Sequence, residues 1–100
     1  MLLFHLTTRE AWLDAQRLGA YRAPSLETEG FIHLSTERQW PLTQRRFFAG
    51  QTGLVLLVID PARLQAEVRF EAVHGDSFPH LFGPLTLAAV TEVRELPPAP

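Results

Sequence analysis

The 100-residue sequence contains neither cysteine nor lysine. Without cysteine, the chain can form no disulfide, thiolate zinc site or thiol nucleophile, and without lysine it can form no Schiff base. The formal net charge of −2 provides no basic surface for nucleic acid or for an anionic membrane. The longest apolar run, Leu54 to Ile59, is much shorter than a membrane span, and the first residues lack the features of a signal peptide. We therefore expect a cytoplasmic protein.

The residue patterns predict a compact α+β domain over residues 1–96, followed by a proline-rich tail over 97–100. About five short strands are expected, in a split or strongly curved sheet, and they cover residues 2–6, 31–35, 54–59, 67–71 and part of 88–96. The strand over 54–59 is apolar on both faces and is predicted to be central and buried. In the strand over 67–71, Val68 and Phe70 are expected to point inward.

Two main helices accompany these strands. The first is predicted to begin at Thr7 as its N-cap and to end at Gly19, with apolar residues at helical spacing between them. The second is predicted to start at Pro41, as its first residue, and to run to about Ala49. A connector without regular structure is expected from Tyr21 to Leu26.

A histidine followed two residues later by a hydroxyl occurs on two of the predicted strands, as His5 with Thr7 and His33 with Ser35. Alternate residues of a strand share a face, so each pair lies on one face, while Ile32 points into the core. If the two strands are neighbours, two imidazoles and two hydroxyls line one cleft and can bind a single polar ligand. Alternatively, His5 is a half-buried side chain whose hydrogen bonds are satisfied inside the fold.

A second unusual segment, Phe78–Leu85, is predicted to form a rigid loop that presents His80. The rings of Pro79 and Pro84 fix φ at two points, and Gly83 permits a turn. An imidazole held between two phenylalanines would make a good wall for a flat ligand. The alternative is that this loop only closes one end of the core.

Other polar residues have less specific signals. Glu71 is either an exposed charge or a carboxylate that stabilises a developing positive charge, and Tyr21 either stacks on a base or packs in the interior. Arg45 and Arg46 are interpreted as a solvated face and His74 as an exposed turn residue without a role. No metal is expected because the chain lacks a short-range ligand motif such as His-x-x-x-His, and it has neither a Gly-x-Ser-x-Gly elbow nor a glycine-rich phosphate loop.

Over its whole length, the chain resembles a small bacterial family of uncharacterised domains. The resemblance rests on two long motifs, Glu29–Ser35 (EGFIHLS) and Phe78–Leu85 (FPHLFGPL). Shorter matching features are His5-x-Thr7, Trp12, Tyr21 leading into Pro24-Ser25-Leu26, Gln39, Phe47-Phe48, the apolar strand up to Asp60, and Phe70-Glu71. That family has no established activity, so the resemblance by itself implies none.

More distantly, the chain is similar to the ADP-ribosyltransferase superfamily, which includes the RNA 2′-phosphotransferases. Those proteins carry a His-x-Thr pattern on the first strand and a His-Leu-Ser-like motif on a second strand, and they bind NAD in a pocket between split sheets. The resemblance implies an ADP-ribosyltransferase-like fold here. By similarity, His5 and Thr7 would hold the ADP-ribose side, His33 and Ser35 would line the pocket, and Glu71 would correspond to the superfamily's glutamate. Together with the residues singled out above, the expected cofactor-binding residues are His5, Thr7, Tyr21, Ser25 and Ser35, and the expected catalytic residues are His33, Glu71 and His80.

The expected function is binding of NAD or a related adenine nucleotide, with transfer or processing of an ADP-ribosyl group. Departure of nicotinamide would leave an oxocarbenium-like ribose, which Glu71 would stabilise. The alternative is a non-catalytic module that senses a small nucleotide, or binds a protein partner, through the same histidine-lined pocket. The sequence specifies no acceptor and no oligomeric state.

Overall fold

Strand β4, Leu54–Ile59, is buried along its whole length because the residues on both of its faces are apolar. In the computed structural model, which describes residues 1–100, it pairs antiparallel with β1, Leu3–Thr8, and with β8, Val90–Glu95. The first sheet therefore has the order β1-β4-β8. The prediction of a central buried strand at this position is confirmed.

A second antiparallel sheet has the order β3-β6-β5. Its strands are β3, Ile32–His33; β5, Val68–Val73; and β6, Asp76–Leu81. A bridge between Phe4 of β1 and Ser35 connects the two sheets, so the chain forms a split α+β arrangement. A third, two-stranded sheet pairs β2, Ala20–Tyr21, with β7, Leu85–Thr86.

Helix α1, Arg9–Leu18, begins after Thr8, whose hydroxyl accepts a hydrogen bond from the N–H of Ala11 at 3.1 Å. The prediction of Thr7 as the N-cap is wrong, because the side chain that accepts from the first turn of the helix is that of Thr8. The end of the helix at Gly19 is confirmed. The boundary between strand and helix therefore falls one residue later than predicted.

Helix α3, Trp40–Phe47, begins one residue before the predicted start, and Pro41 lies in its first turn, where a missing N–H costs no helical hydrogen bond. The C-terminal residues are tied to this helix. The Gln44 side chain donates to the Pro97 carbonyl at 2.9 Å, and Ala99 is buried. Residues 97–100 therefore pack against the body of the protein.

The segment that was predicted as the loop Phe78–Leu85 begins inside a strand, because residues 78–81 belong to β6. Pro79 lies in this central strand, where it cannot donate to the ladder. Its carbonyl accepts from the N–H of Leu34 at 3.0 Å, but it can return no bond, and the pairing of β3 ends at His33. A Cβ added to Gly83 would lie 2.7 Å from the Cβ of Ala66, so close packing requires this glycine.

Strands β5 and β6 form a hairpin closed by the two residues His74 and Gly75, which both have positive φ values of 49° and 81°. Such values match the two-residue turns that suit the twist of a hairpin. Val68 packs against the main core as predicted. Phe70 does not, and it is half exposed because this part of the hairpin extends past the core.

The prediction of about five strands missed β2, β6 and β7. A two-residue strand such as β2 or β7 is too short to show any periodicity. Strand β6 was missed because the prolines near His80 argue against a strand at that position. The predicted connector after Tyr21 contains a short helix, α2, at Pro24–Thr28. The coarse prediction of a compact α+β domain is confirmed.

Two apolar clusters hold the layers together. The larger one fills the space between the first sheet, the second sheet and α1, with Ile32, Leu57 and Leu81 fully buried within it. The smaller one covers the opposite face of the first sheet, where Phe4 and Leu56 contact Trp40 of α3. None of the helices is long and apolar enough to cross a membrane.

Candidate ligand-binding cleft

A cleft of about 1370 Å³ lies among α1, α3 and the strands β1, β2, β3 and β6. Its wall includes all four histidines of the chain, His5, His33, His74 and His80. Pockets for small molecules typically enclose about 300–1,000 Å³. The cleft therefore has room for a ligand as large as a dinucleotide.

Seven of the eight residues predicted for the site line this cleft; they are His5, Thr7, Tyr21, Ser25, His33, Ser35 and His80. The eighth, Glu71, does not line the cleft but contacts His80. The bridge between Phe4 and Ser35 holds β1 beside the segment that contains His33. The register of β3 and β6 then sets His33 directly opposite His80. The three histidines His5, His33 and His80 therefore come from three different strands.

His5 is buried, and both of its ring nitrogens are hydrogen-bonded within the protein. Nδ1 lies 2.7 Å from the carbonyl oxygen of His33, and Nε2 lies 2.9 Å from the hydroxyl oxygen of Tyr21. Burial lowers the pKa of His5 from 6.5 to about 4, so the ring is neutral at pH 7. Because a carbonyl oxygen only accepts, Nδ1 carries the proton and Nε2 accepts from the Tyr21 hydroxyl.

The Tyr21 hydroxyl extends this hydrogen-bonded chain to Thr7. The two hydroxyl oxygens are 2.9 Å apart. Since the proton of Tyr21 is used on His5, Thr7 is the donor in this pair. Burial raises the pKa of Tyr21, so the phenol stays protonated at neutral pH. The resulting order, from Thr7 through Tyr21 and His5 to the carbonyl of His33, joins strands β1, β2 and β3.

The two serines of the predicted site both take part in hydrogen bonds with the backbone of neighbouring segments. The Ser25 hydroxyl donates to the carbonyl of Phe31 at 2.7 Å and so fixes the turn that leads into β3. The backbone of Ser35 exchanges two hydrogen bonds of 2.8 Å with Phe4, and its side chain is buried at the cleft wall. Both serines therefore help to set the position of β3.

His33 has the most exposed ring of the three histidines that come from strands. Its side chain is 52% exposed, and its Nε2 lies 3.2 Å from a carboxylate oxygen of Glu29. The ring stands nearly perpendicular to the ring of His80, with centroids 5.2 Å apart. Glu29, the first residue of the EGFIHLS motif, therefore contacts the ring of the motif's own histidine.

His80 is the second buried histidine, and its two nitrogens differ. Nδ1 lies 2.7 Å from Oε1 of Glu71, whereas Nε2 is buried and has no hydrogen-bond partner. The ring of Phe31 stacks on the imidazole with centroids 4.0 Å apart. In the neutral tautomer that donates from Nδ1 to the Glu71 carboxylate, Nε2 is an acceptor without a partner.

The pairing of Glu71 with His80 follows from the hairpin. Arg69 lies directly opposite His80 in the register of β5 and β6, and Glu71 is two residues further along β5 on the same face. Diagonal neighbours on one face of a sheet are within reach of long side chains. Glu71, which was predicted as a catalytic carboxylate, therefore has His80 as its partner in this structure.

Sequence reasoning missed several polar residues of the cleft wall, including Gln39. This side chain is buried, and its amide donates to the Ser77 carbonyl at 2.8 Å and to Asp76 at 3.2 Å. Gln39 thereby fastens the start of α3 to the hairpin. The signal that could have found it was its place among the matched family features.

The cleft wall also includes Arg45, Arg46 and His74, which were interpreted as surface residues without a role. All three are exposed, as that interpretation expected. Nothing in the local sequence shows that they border the same cleft, because their proximity depends on how α3 and the hairpin pack. No group of three or more histidine and acidic side chains is arranged to hold a metal ion.

The chain is thus a compact α+β protein with a histidine-lined cleft. The chain belongs to the family described as "Protein of unknown function (DUF952)", whose model matches residues 6–93. No protein with a curated description matches it.

Two solved structures of protein CC0527 from Caulobacter crescentus are similar to this chain. The crystal structure has 33% sequence identity and a TM-score of 0.90, over 97% of this chain and 87% of that chain. The solution NMR structure has 34% identity and a TM-score of 0.81, over 95% of this chain and 84% of that chain.

Proposed function

We propose that the cleft binds NAD or a related adenine nucleotide and that the protein transfers or processes its ADP-ribosyl group. The observation that carries this proposal is the environment of His80, whose Nε2 is buried without a partner at the wall of a large cleft. Buried polar atoms without a partner are rare, and each suggests strain, chemistry or a missing ligand. The similarity of His5-x-Thr7 and His33-Leu34-Ser35 to ADP-ribosyltransferase motifs supports a nucleotide as the ligand.

In the proposed reaction, Glu71 acts through His80 instead of contacting the ribose itself. Oε1 of Glu71, 2.7 Å from Nδ1 of His80, accepts the Nδ1 proton, which leaves Nε2 free to accept a proton. Nε2 takes the proton of an attacking hydroxyl, from an acceptor or from water, as the new bond to the ribose C1′ forms. The bond from C1′ to nicotinamide breaks, and its electron pair leaves with nicotinamide. Glu71 then stabilises the imidazolium that has formed.

His33 is the side chain that would control access to Nε2. It stands edge-on to His80 on the cleft wall, and its only side-chain hydrogen bond is the 3.2 Å contact with Glu29. Exposed pairs of this kind contribute about 0–1 kcal/mol, so the ring can rotate at low cost. Replacement by alanine should leave the unfolding free energy nearly unchanged. It should weaken nucleotide binding by about 1 kcal/mol if His33 donates one hydrogen bond to the ligand.

The test is to incubate the protein with NAD and to measure released nicotinamide by chromatography. A parallel thermal-shift series with NAD, ADP-ribose, ADP and AMP measures binding, because a ligand of the folded state raises the melting temperature. We expect His80→Phe to abolish nicotinamide release and Glu71→Gln to reduce it strongly. The matched control is Glu67→Gln, which removes an exposed carboxylate that pairs with Arg69 instead.

A melting temperature unchanged by all four nucleotides would refute nucleotide binding. Release of nicotinamide at the same rate by the wild type and by His80→Phe would refute the role of His80. If Glu67→Gln lost as much activity as Glu71→Gln, the loss would come from removing a negative charge and not from breaking the contact with His80.

A non-catalytic nucleotide sensor is the second candidate, and one observation favours it. The two carboxylates that line the cleft are already paired, Asp14 with Arg17 and Asp76 with Arg38. No carboxylate at the wall is therefore free to act on a bound ribose. Binding of NAD without release of nicotinamide, weakened by His33→Ala, is the result expected for this alternative.

A further inference from the structure

The arginines of this protein divide into two groups by their contacts. Seven of the nine lie within 4.0 Å of a carboxylate oxygen: Arg9, Arg17, Arg22, Arg38, Arg63, Arg69 and Arg94. The remaining two, Arg45 and Arg46, have neither an ion pair nor a side-chain hydrogen bond. They are neighbours in the last turn of α3, and both line the cleft.

The charge at this end of the cleft is positive although the whole chain carries a net charge of −2. The acidic residues of the wall, Asp14 and Asp76, are offset by Arg17 and Arg38, which lie outside the wall. Nothing comparable offsets Arg45 and Arg46. A cleft with uncompensated charge of one sign attracts ligands of the opposite sign.

An exposed aromatic residue follows the two arginines in the sequence. Phe47 is 68% exposed and borders the same cleft. The face of α3 opposite the arginines is anchored, because Gln44 is bonded to Pro97 and Trp40 packs against the smaller apolar cluster. Phe47 lies at the exposed end of that anchored face. The last turn is therefore held in a fixed position while its arginines and its ring stay free of protein partners.

A structural explanation accounts for only part of this arrangement. Cations in the last turn of a helix interact favourably with the negative end of the helix dipole, and this applies to Arg45 and Arg46. The dipole does not explain an exposed Phe47 beside them at the cleft. Two guanidinium groups and an aromatic face are, in contrast, the groups that recognise a phosphate attached to a flat base.

We infer that the turn Arg45-Arg46-Phe47 is the phosphate-recognition end of the cleft, where the arginines bind a phosphate or diphosphate and Phe47 stacks on the attached base. The nucleotide would then lie with its phosphates at α3 and its reactive sugar at His80. This orientation of the nucleotide rests on the proposed function, whereas the recognition of phosphate by Arg45 and Arg46 does not.

The experiment compares four probes on the wild type and on the double variant Arg45→Gln/Arg46→Gln by calorimetric titration: inorganic pyrophosphate, ADP, AMP and adenosine. Hydrogen bonds from charged donors to a phosphate correspond to roughly tenfold or more in affinity for each arginine. We expect the double variant to lose about a hundredfold in affinity for pyrophosphate and ADP and to keep its affinity for adenosine. The dependence of ADP binding on salt should also become weaker.

The matched control is Arg9→Gln/Arg63→Gln, which removes two exposed arginines that are ion-paired and lie outside the cleft. It should bind all four probes as the wild type does. A second variant, Phe47→Ala, should weaken ADP and adenosine to the same extent and leave pyrophosphate unchanged. Melting curves of all variants confirm that they are folded.

Unchanged affinity of Arg45→Gln/Arg46→Gln for ADP and pyrophosphate would overturn the inference, as would equal losses in the Arg9 and Arg63 control. If NAD binds the wild type and the arginine variant equally, the inference fails while the proposed function stands. If pyrophosphate binds in a way that depends on these arginines but no nucleotide does, phosphate recognition stands and the proposed function fails.

Discussion

His5 and His80 are both buried imidazoles, with 8% and 3% of their surfaces exposed, yet their surroundings differ. His5 has both nitrogens bonded, to a carbonyl and to a phenol, and no carboxylate contacts it. His80 has a carboxylate on one nitrogen and no partner on the other. At the junction of β1, β2 and β3, the hydrogen bonds of His5 are therefore all made within the protein. On the β5–β6 hairpin, in contrast, Nε2 of His80 has no partner.

The difference teaches how to separate a structural histidine from a functional one. A polar group whose bonds are all made inside the protein contributes to stability and specifies the packing around it. A buried group with one bond missing costs stability, and it persists where another requirement keeps it. By this criterion we expect His5 to fix the shape of the cleft and His80 to be the histidine that a ligand would engage.

The largest expected effect is on stability, from His5→Ala. The substitution leaves the His33 carbonyl and the Tyr21 hydroxyl without partners and opens a cavity, so the free energy of unfolding should fall by about 3–5 kcal/mol. Urea denaturation followed by circular dichroism measures it. A loss below about 1 kcal/mol would remove the distinction between the two histidines.

The next effect is the pH dependence that His5 gives to stability. Its pKa in the folded protein is about 4, against 6.5 for the unfolded chain, so between these values the unfolded state binds a proton that the folded state does not. Stability is therefore fully present above pH 6.5 and is lost as the pH falls towards 4, by up to about 3 kcal/mol.

Denaturation of the wild type and of His5→Gln at pH 7 and pH 4.5 isolates this contribution, because all other titrating groups are common to both proteins. The difference in unfolding free energy between the two proteins should shrink at the lower pH. Parallel pH profiles would show that burial does not lower the pKa of His5 as described.

A smaller effect is expected from Tyr21→Phe. The substitution keeps the ring in the core but removes the hydroxyl that connects Thr7 to His5, at a cost of about 1–2 kcal/mol. Combined with His5→Gln, the two losses should be less than additive, because both changes break the same hydrogen-bonded chain. Strictly additive losses would mean that the chain does not act as a unit.

The smallest effect on stability is predicted for His80→Phe. The change removes an unsatisfied buried nitrogen and keeps a ring that can stack on Phe31, and the Glu71 that loses its partner is partly exposed and can be hydrated. The unfolding free energy should therefore change by less than about 1 kcal/mol in either direction. A loss comparable to that of His5→Ala would assign His80 to the core and not to a ligand site.

The features that could be predicted from the sequence are those set by local pattern. The apolar run Leu54–Ile59 determines the central strand, and the spacing of His5 with Thr7 and of His33 with Ser35 indicated residues that line one cleft. The first follows from the absence of polar residues on either face of the strand, and the second follows from the alternation of side chains along a strand.

The features that could not be predicted depend on register and packing. The partner of Glu71 is decided by the alignment of β5 with β6, and the prolines beside His80 concealed that β6 is a strand. The pairing of Asp76 with Arg38, across the fold, leaves no trace in the local sequence. The sequence also does not show that Arg45 and Arg46 lack carboxylate partners. Which arginines form ion pairs depends on the contacts made in the folded chain.

The tight turn at His74 and Gly75 also bears on the order of folding. A hairpin with a two-residue loop forms in about 1–10 μs, whereas β1 must find β4 across about half of the chain, which is slower because a long loop must be closed. In refolding followed by pulsed hydrogen exchange, the amides of β5 and β6 should therefore become protected before those of β1 and β4. Simultaneous protection of all four strands would contradict this order. Glu71 and His80 would then meet early, and the junction at His5, which needs three separate strands, would be the last part of the cleft to assemble.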